Sequence, residues 1–187
     1  MRCLAPATSA LTNFSIGTTY NDQIGVESFA TAYPGSLTLT PSGDTVRLSG
    51  TVNSYSSLNV GFAACIDASA FAGLAFELGG SVGPTGTLTF VVTTRENSPE
   101  PPFTATGTCA PQDPTNPFAD CHSAYTQLPV LPTPASATVR FVDFRGGMPA
   151  PDVDPAQMLS LGFSFSWSST AQPYDVDLTL GNVTLIH

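Results

Sequence analysis

The chain has 187 residues and a mass of 19.4 kDa, with 42% hydrophobic and only 10% charged residues, which suits one domain with a sizeable core. Five arginines, no lysine and fourteen carboxylates give a formal charge of −9, which repels a phosphate backbone and excludes nucleic acid as a partner. No apolar run approaches the ~20 residues of a helical membrane span and no basic amphipathic segment is present, so no membrane insertion is expected.

Residues 1–10, MRCLAPATSA, read as an N-terminal arm or linker remnant, and a single domain is expected over 11–187. No charged segment followed by an apolar run heads the chain, so Met1 reads as a start or processed boundary and not as the head of an intact signal peptide. Short alternating runs punctuated by Gly, Pro, Asn and Ser then predict strands over 36–40, 45–51, 58–64, 74–78, 87–94, 137–144, 160–168 and 176–186. Helical periodicity is nearly absent, so the fold class is all-β, a two-sheet sandwich. Two short turns interrupt the strands, at 67–71 and at 154–159, where Asp154-Pro155 reads as a helix cap followed by proline at the first helical position.

Alternation assigns faces. In the seventh run Leu161, Phe163, Phe165 and Trp167 point one way and Gly162, Ser164, Ser166 and Ser168 the other, one face apolar and one small and polar. By the same period Leu74, Phe76, Leu78, Leu88, Phe90, Val92, Val139 and Phe141 point inward, while Glu77 and Arg140 point out. Trp167 is accordingly expected in the core.

The four cysteines form an even set without metal-binding spacing. Cys109 and Cys121 bracket a proline-rich, polar loop that a bridge would hold at a gain of about 3 kcal/mol, leaving Cys3 to pair with Cys65. Disulfides imply an oxidising, secreted or extracellular setting; the alternative is four free buried thiols.

Catalytic signals are thin. His122 is the only interior histidine, no G-x-S-x-G elbow exists, and the glutamates are Glu27, Glu77, Glu96 and Glu100, of which only Glu77 lies in a firm strand. An enzyme is therefore not expected. Sugar recognition needs aromatic platforms and planar polar groups. Tyrosines 20, 33, 55, 125 and 174 lie near turns, and Arg47, Arg95, Arg140 and Glu77 lie at outward positions. The face proposed for a ligand carries Glu77, Arg95 and Arg140, rimmed by Tyr20, Tyr55 and Tyr125. Asn13 and Asn182 also head N-x-S/T triplets, which matter only in a eukaryotic secretory route.

Several segments in order resemble the galactose-binding-like jelly-roll modules that accompany bacterial extracellular glycoside hydrolases: Thr19-Tyr20-Asn21-Asp22, IDASAFAGLAFELGG from Ile66, the GTC…CHSAY hairpin, DPAQML from Asp154 and VDLTLGNVTLI from Val176. The resemblance spans almost the whole domain. It implies a jelly roll and a noncatalytic carbohydrate-binding or lectin-like role toward a polysaccharide or glycan. Related modules hold a structural calcium near these strand ends, and the positions left for one here are Asp177, Asn13 and Asn182; no other cofactor is implied. The second reading is a structural or adhesive domain of an extracellular assembly, working by self-association along strand edges.

Overall fold

A computed structural model describes residues 3–12, 14, 28–33 (backbone), 37–53, 55–84, 86–166 and 172–187. The strands are β1 (Ser28–Tyr33), β2 (Leu37–Ser42), β3 (Thr45–Val52), β4 (Ser56–Ile66), β5 (Gly73–Val82), β6 (Leu88–Thr94), β7 (Ala124–Leu128), β8 (Ala135–Arg140), β9 (Met158–Phe165), β10 (Tyr174–Gly181) and β11 (Thr184–Ile186). One five-stranded sheet runs β1-β4-β9-β6-β7. The other runs β2-β3-β10-β5, with β11 continuing β10 along one edge of β5 and β8 on the other. Every ladder is antiparallel, as the two-sheet reading requires.

The core lies between the sheets and follows the alternation. Leu161, Phe163 and Phe165 of β9 are buried with Leu88, Phe90 and Val92 of β6 and Leu58 and Val60 of β4. From the second sheet Phe76 meets them: its ring stands edge-on to Phe163 at 5.3 Å and to Phe90 at 5.1 Å, while Phe90 and Phe163 stack at 4.7 Å. Offset and edge-on pairs add about 0.5–1.5 kcal/mol each beyond the area they bury. Trp167 lies outside the described residues.

Several strand limits differ from the sequence reading, for physical reasons. β1 and β7 were not anticipated: SFATAY and AYTQL are short edge strands whose small and polar residues weaken the alternation. The run 137–144 stops as a strand at Arg140, because Phe141–Asp143 turns into a 3₁₀ helix with the Asp143 carboxylate accepting from Arg140 N at 3.0 Å. The run 176–186 is two strands. Leu180 faces Leu78 and Thr184 faces Ala75, so four steps answer three and the extra residue is a bulge at 181–183. At 155–157 the capped turn is as expected, with Asp154 Oδ1 accepting from Ala156 N at 3.0 Å.

Both disulfides form, Cys3–Cys65 and Cys109–Cys121. Residues 3–10 lie against the body: Leu4 bridges to Ile66 and Ala10 to Thr184, with the first bridge beside the cysteine link. The long β6–β7 connection contains the second disulfide and a short helix, α1 (Pro117–Asp120), whose Asp120 carboxylate accepts from Gln112 N and Asp113 N. Among the described residues no helix is long and apolar enough to cross a membrane.

Candidate binding groove

The outward face of the five-stranded sheet takes the residues that the core rejects. On β9 these are Gly162 and Ser164, on β6 Thr89, Val91 and Thr93, on β4 Asn59, and on β7 Tyr125 with Ser123 just before it. The ladders put Gly162 between Asn59 of β4 and Val91 of β6, and Val91 opposite Tyr125. A file of Gly and Ser down the central strand leaves the sheet bare there, while the larger side chains stand at the margins. The result is a groove of ≈ 410 Å³ running across the strands, flanked by Tyr55 ahead of β4 and Tyr125 on β7. That volume falls in the ~300–1,000 Å³ range of small-ligand sites.

Local bonds fix the walls. Asn59 Nδ2 donates to Ser57 Oγ at 2.7 Å, and the hydroxyls of Thr93 and Ser123 pair at 2.8 Å. The phenol of Tyr55 reaches Ser164 Oγ at 3.5 Å, at the outer limit of a hydrogen bond. Tyr125 is held through its backbone, its N donating to Arg145 O at 2.9 Å and its O accepting from Arg145 N at 3.0 Å. Its ring passes over Gly146, which has φ +75° and where a Cβ would stand 3.0 Å from Tyr125 Cε1, so a side chain there would both strain the backbone and push the ring. The tyrosines remain 45% and 46% exposed, free to stack on a ligand.

Among the described residues the lining is Tyr, Asn, Ser, Thr, Val and Gly, with no carboxylate, guanidinium, imidazole or thiol. Such a surface can stack and exchange hydrogen bonds with hydroxyls.

Of the sequence-predicted ligand set, the structure brings together Tyr55 and Tyr125. Glu77 is on β5, paired with Ser136 in the opposite sheet, and so faces away from the groove. Arg95 follows β6 and donates from Nε to Thr106 O at 3.1 Å, bracing the long loop. Arg140 ends β8 and lines a separate cleft. Tyr20 lies outside the described residues. The expected single face is thus corrected: alternation tells inward from outward, but not which of two outward faces a residue joins. Asn59, Val91, Ser123 and Gly162 were missed as site residues, although the small-and-polar file of β9 was visible in the alternation.

Of the positions left for a calcium, the two within the described residues are engaged inside the fold. Both oxygens of Asp177 accept from Arg47, Oδ1 from Nε and Oδ2 from Nη2, each at 2.7 Å. This bidentate pair holds the Asp177 carboxyl below its usual range. Asn182 Oδ1 accepts from Phe14 N at 3.0 Å, and Asn13 lies outside the described residues. Among the described residues no three His, Cys, Asp or Glu side chains cluster as a metal site. Glu96, on the β6–β7 connection, is pushed up by burial and then by the charge of Asp154.

Comparison with solved structures places this architecture. A family 11 carbohydrate-binding module of the cellulosomal cellulase Lic26A-Cel5E of Clostridium thermocellum superposes over 97% of this chain and 95% of its own, with a TM-score of 0.56 and 12% identity. The chain has the galactose-binding-like jelly-roll fold. A family 11 module from Clostridium thermocellum in complex with a β-1,3-1,4-mixed-linked tetrasaccharide matches over 85% of this chain and 88% of its own, at a TM-score of 0.52 and 12% identity. The agarase AgWH50C matches 95% of this chain with 26% of its own, at a TM-score of 0.55 and 13% identity, so the same jelly roll also occurs as a part of a longer enzyme. No family model and no curated protein sequence matches the chain.

Proposed function

We propose that the protein is a noncatalytic carbohydrate-binding module that takes a neutral polysaccharide chain across the outer face of its five-stranded sheet. The observation that carries this reading is the uncharged groove between two half-exposed tyrosines. The rings of Tyr55 and Tyr125 stack on the apolar faces of two pyranoses, and Asn59, Thr93, Ser123 and Ser164 exchange hydrogen bonds with their hydroxyls. Recognition is preformed, since the floor is a strand and the wall bonds are already made. The net charge of −9 disfavours a polyanionic chain as ligand, in keeping with the neutral lining.

Support also comes from the solved module that holds a mixed-linked tetrasaccharide on the same fold. The uncharged lining among the described residues supports a binding role over a hydrolytic one. Two disulfides suit an oxidising compartment, so we place the protein outside the cell.

The test is a polysaccharide array on the oxidised protein with β-1,3-1,4-mixed-linked glucan, cellulose and agarose as the first neutral probes, and a polyuronate as the charged control. Retention on at least one neutral glycan, weakened in Tyr125→Ala and lost in Tyr55→Ala/Tyr125→Ala, is the expected result. Binding confined to the polyuronate, or neutral binding that survives in Tyr55→Ala/Tyr125→Ala, would overturn the proposal.

A further inference from the structure

A second concavity lies away from the groove, where β8 ends and the 3₁₀ turn Phe141–Asp143 begins. It measures ≈ 380 Å³ and is lined by Phe71, Ala72, Phe141, Val142, Val153 and Pro155 together with Arg140, Arg145 and Asp152. Two of the five cationic side chains of the whole protein therefore line one small cleft whose other residues, Asp152 apart, are apolar.

Their donors are in different states. Arg145 Nη1 is committed: it donates to Val142 O, to Phe144 O at 2.6 Å and to Asp152 Oδ1 at 3.3 Å. Its Nε and Nη2 have no partner among the described residues, and neither has the guanidinium of Arg140, whose backbone N alone meets Asp143. Nε and Nη2 form the flat two-donor edge that Arg47 uses to grip both oxygens of Asp177. Arg145 thus keeps a two-donor edge without a partner among the described residues, while its Nη1 is anchored by two carbonyls.

We infer that this cleft binds a carboxylate-bearing sugar ring, a hexuronate, with the carboxylate on the Arg145 fork, Arg140 beside it, and the ring's apolar face against the exposed Val142. The fork could grip a carboxylate or a phosphate, and Asp152 decides between them: its negative charge penalises a dianion more than a monoanion. This site does not depend on the groove reading.

The test is a titration of the ¹⁵N-labelled full chain with glucuronate, glucose, acetate and phosphate at matched ionic strength, followed by NMR of the Arg Nε and the Phe141 and Val142 amide signals. Saturable shifts with glucuronate at a Kd of about 1 mM, a weak affinity in keeping with one ring, are expected, with none for glucose. Arg140→Ala, which breaks no recorded side-chain bond, should weaken glucuronate binding by about tenfold. Asp152→Asn should strengthen it by about threefold through removal of a competing charge. Tyr55→Ala, on the other site, should leave it unchanged. Equal shifts with glucose, acetate or phosphate as tight as glucuronate, or full affinity in Arg140→Ala would each overturn the inference.

Discussion

Filling the groove floor from below separates binding from folding. A Cβ added at Gly162 would lie 3.1 Å from Asn59 Oδ1, 3.5 Å from Val91 Cβ and 3.8 Å from Ser164 Oγ. Only the first approach is tight, and it is to the movable end of a side chain. The backbone there is ordinary extended strand, so a β-branched residue introduces no dihedral strain, and it gains about 0.5–1 kcal/mol over glycine from reduced freedom of the unfolded chain. Gly162→Val should therefore keep its melting temperature within a few degrees of wild type. Its two methyls, however, stand where the sugar rings rest. Lifting a ring off the floor forfeits close contacts and about two hydrogen bonds of roughly 1 kcal/mol each, so affinity for the neutral glycan should fall by about 30-fold. Isothermal titration alongside a thermal melt reads both quantities. Unchanged affinity in a folded Gly162→Val protein would refute the placement of the ligand on this floor.

Removing either platform, Tyr55→Ala or Tyr125→Ala, should reduce affinity by about tenfold each, the stacking and area of one ring, while the phenylalanine variants retain most of it; affinity electrophoresis is sufficient. Opening the Cys3–Cys65 link by serine substitution frees a 62-residue separation and should cost about 4 kcal/mol, or roughly 8–16 °C in melting temperature, against about 3 kcal/mol for the shorter Cys109–Cys121 loop; differential scanning calorimetry orders the two. The Asp177 carboxyl is held low by Arg47, so its stabilisation is in place above about pH 4 and is lost as the pH falls through the lowered value; melts between about pH 2 and 7 should show a shallower acid limb in Asp177→Asn. Glu96 has the opposite sign: its carboxyl is raised by burial and by Asp154, so the folded state is penalised as the pH rises through that value, and Glu96→Gln should melt higher than wild type at pH 7.

Much of this architecture is legible in the residues themselves. The alternation of Leu161, Phe163 and Phe165 with Gly162 and Ser164 marks a strand with one buried face, and that file becomes both the centre of the core and the floor of the groove. The Asp154-Pro155 cap and both cysteine pairings are likewise readable, because each rests on local chemistry or on an even count. Assembly across the sandwich is not local. Glu77 and Tyr125 are both outward, yet they face opposite sides, a fact set by the order of strands and by no pattern along them. Asp177 looked available for a metal until the pairing of β10 with β3, which sets Arg47 opposite Thr179 two residues along, brought a guanidinium beside it. β7, which carries Tyr125, has too few apolar residues to announce itself, and its place is set by pairing with Val91 and Val92.

The central claim is that a neutral glycan lies between Tyr55 and Tyr125. Its most direct test is a titration of wild type and the Tyr55→Ala/Tyr125→Ala double variant with the neutral polysaccharide that binds best on the array. Saturable binding by wild type and a loss of about a hundredfold in a double variant that melts normally are expected. Equal affinity in the two folded proteins would contradict it.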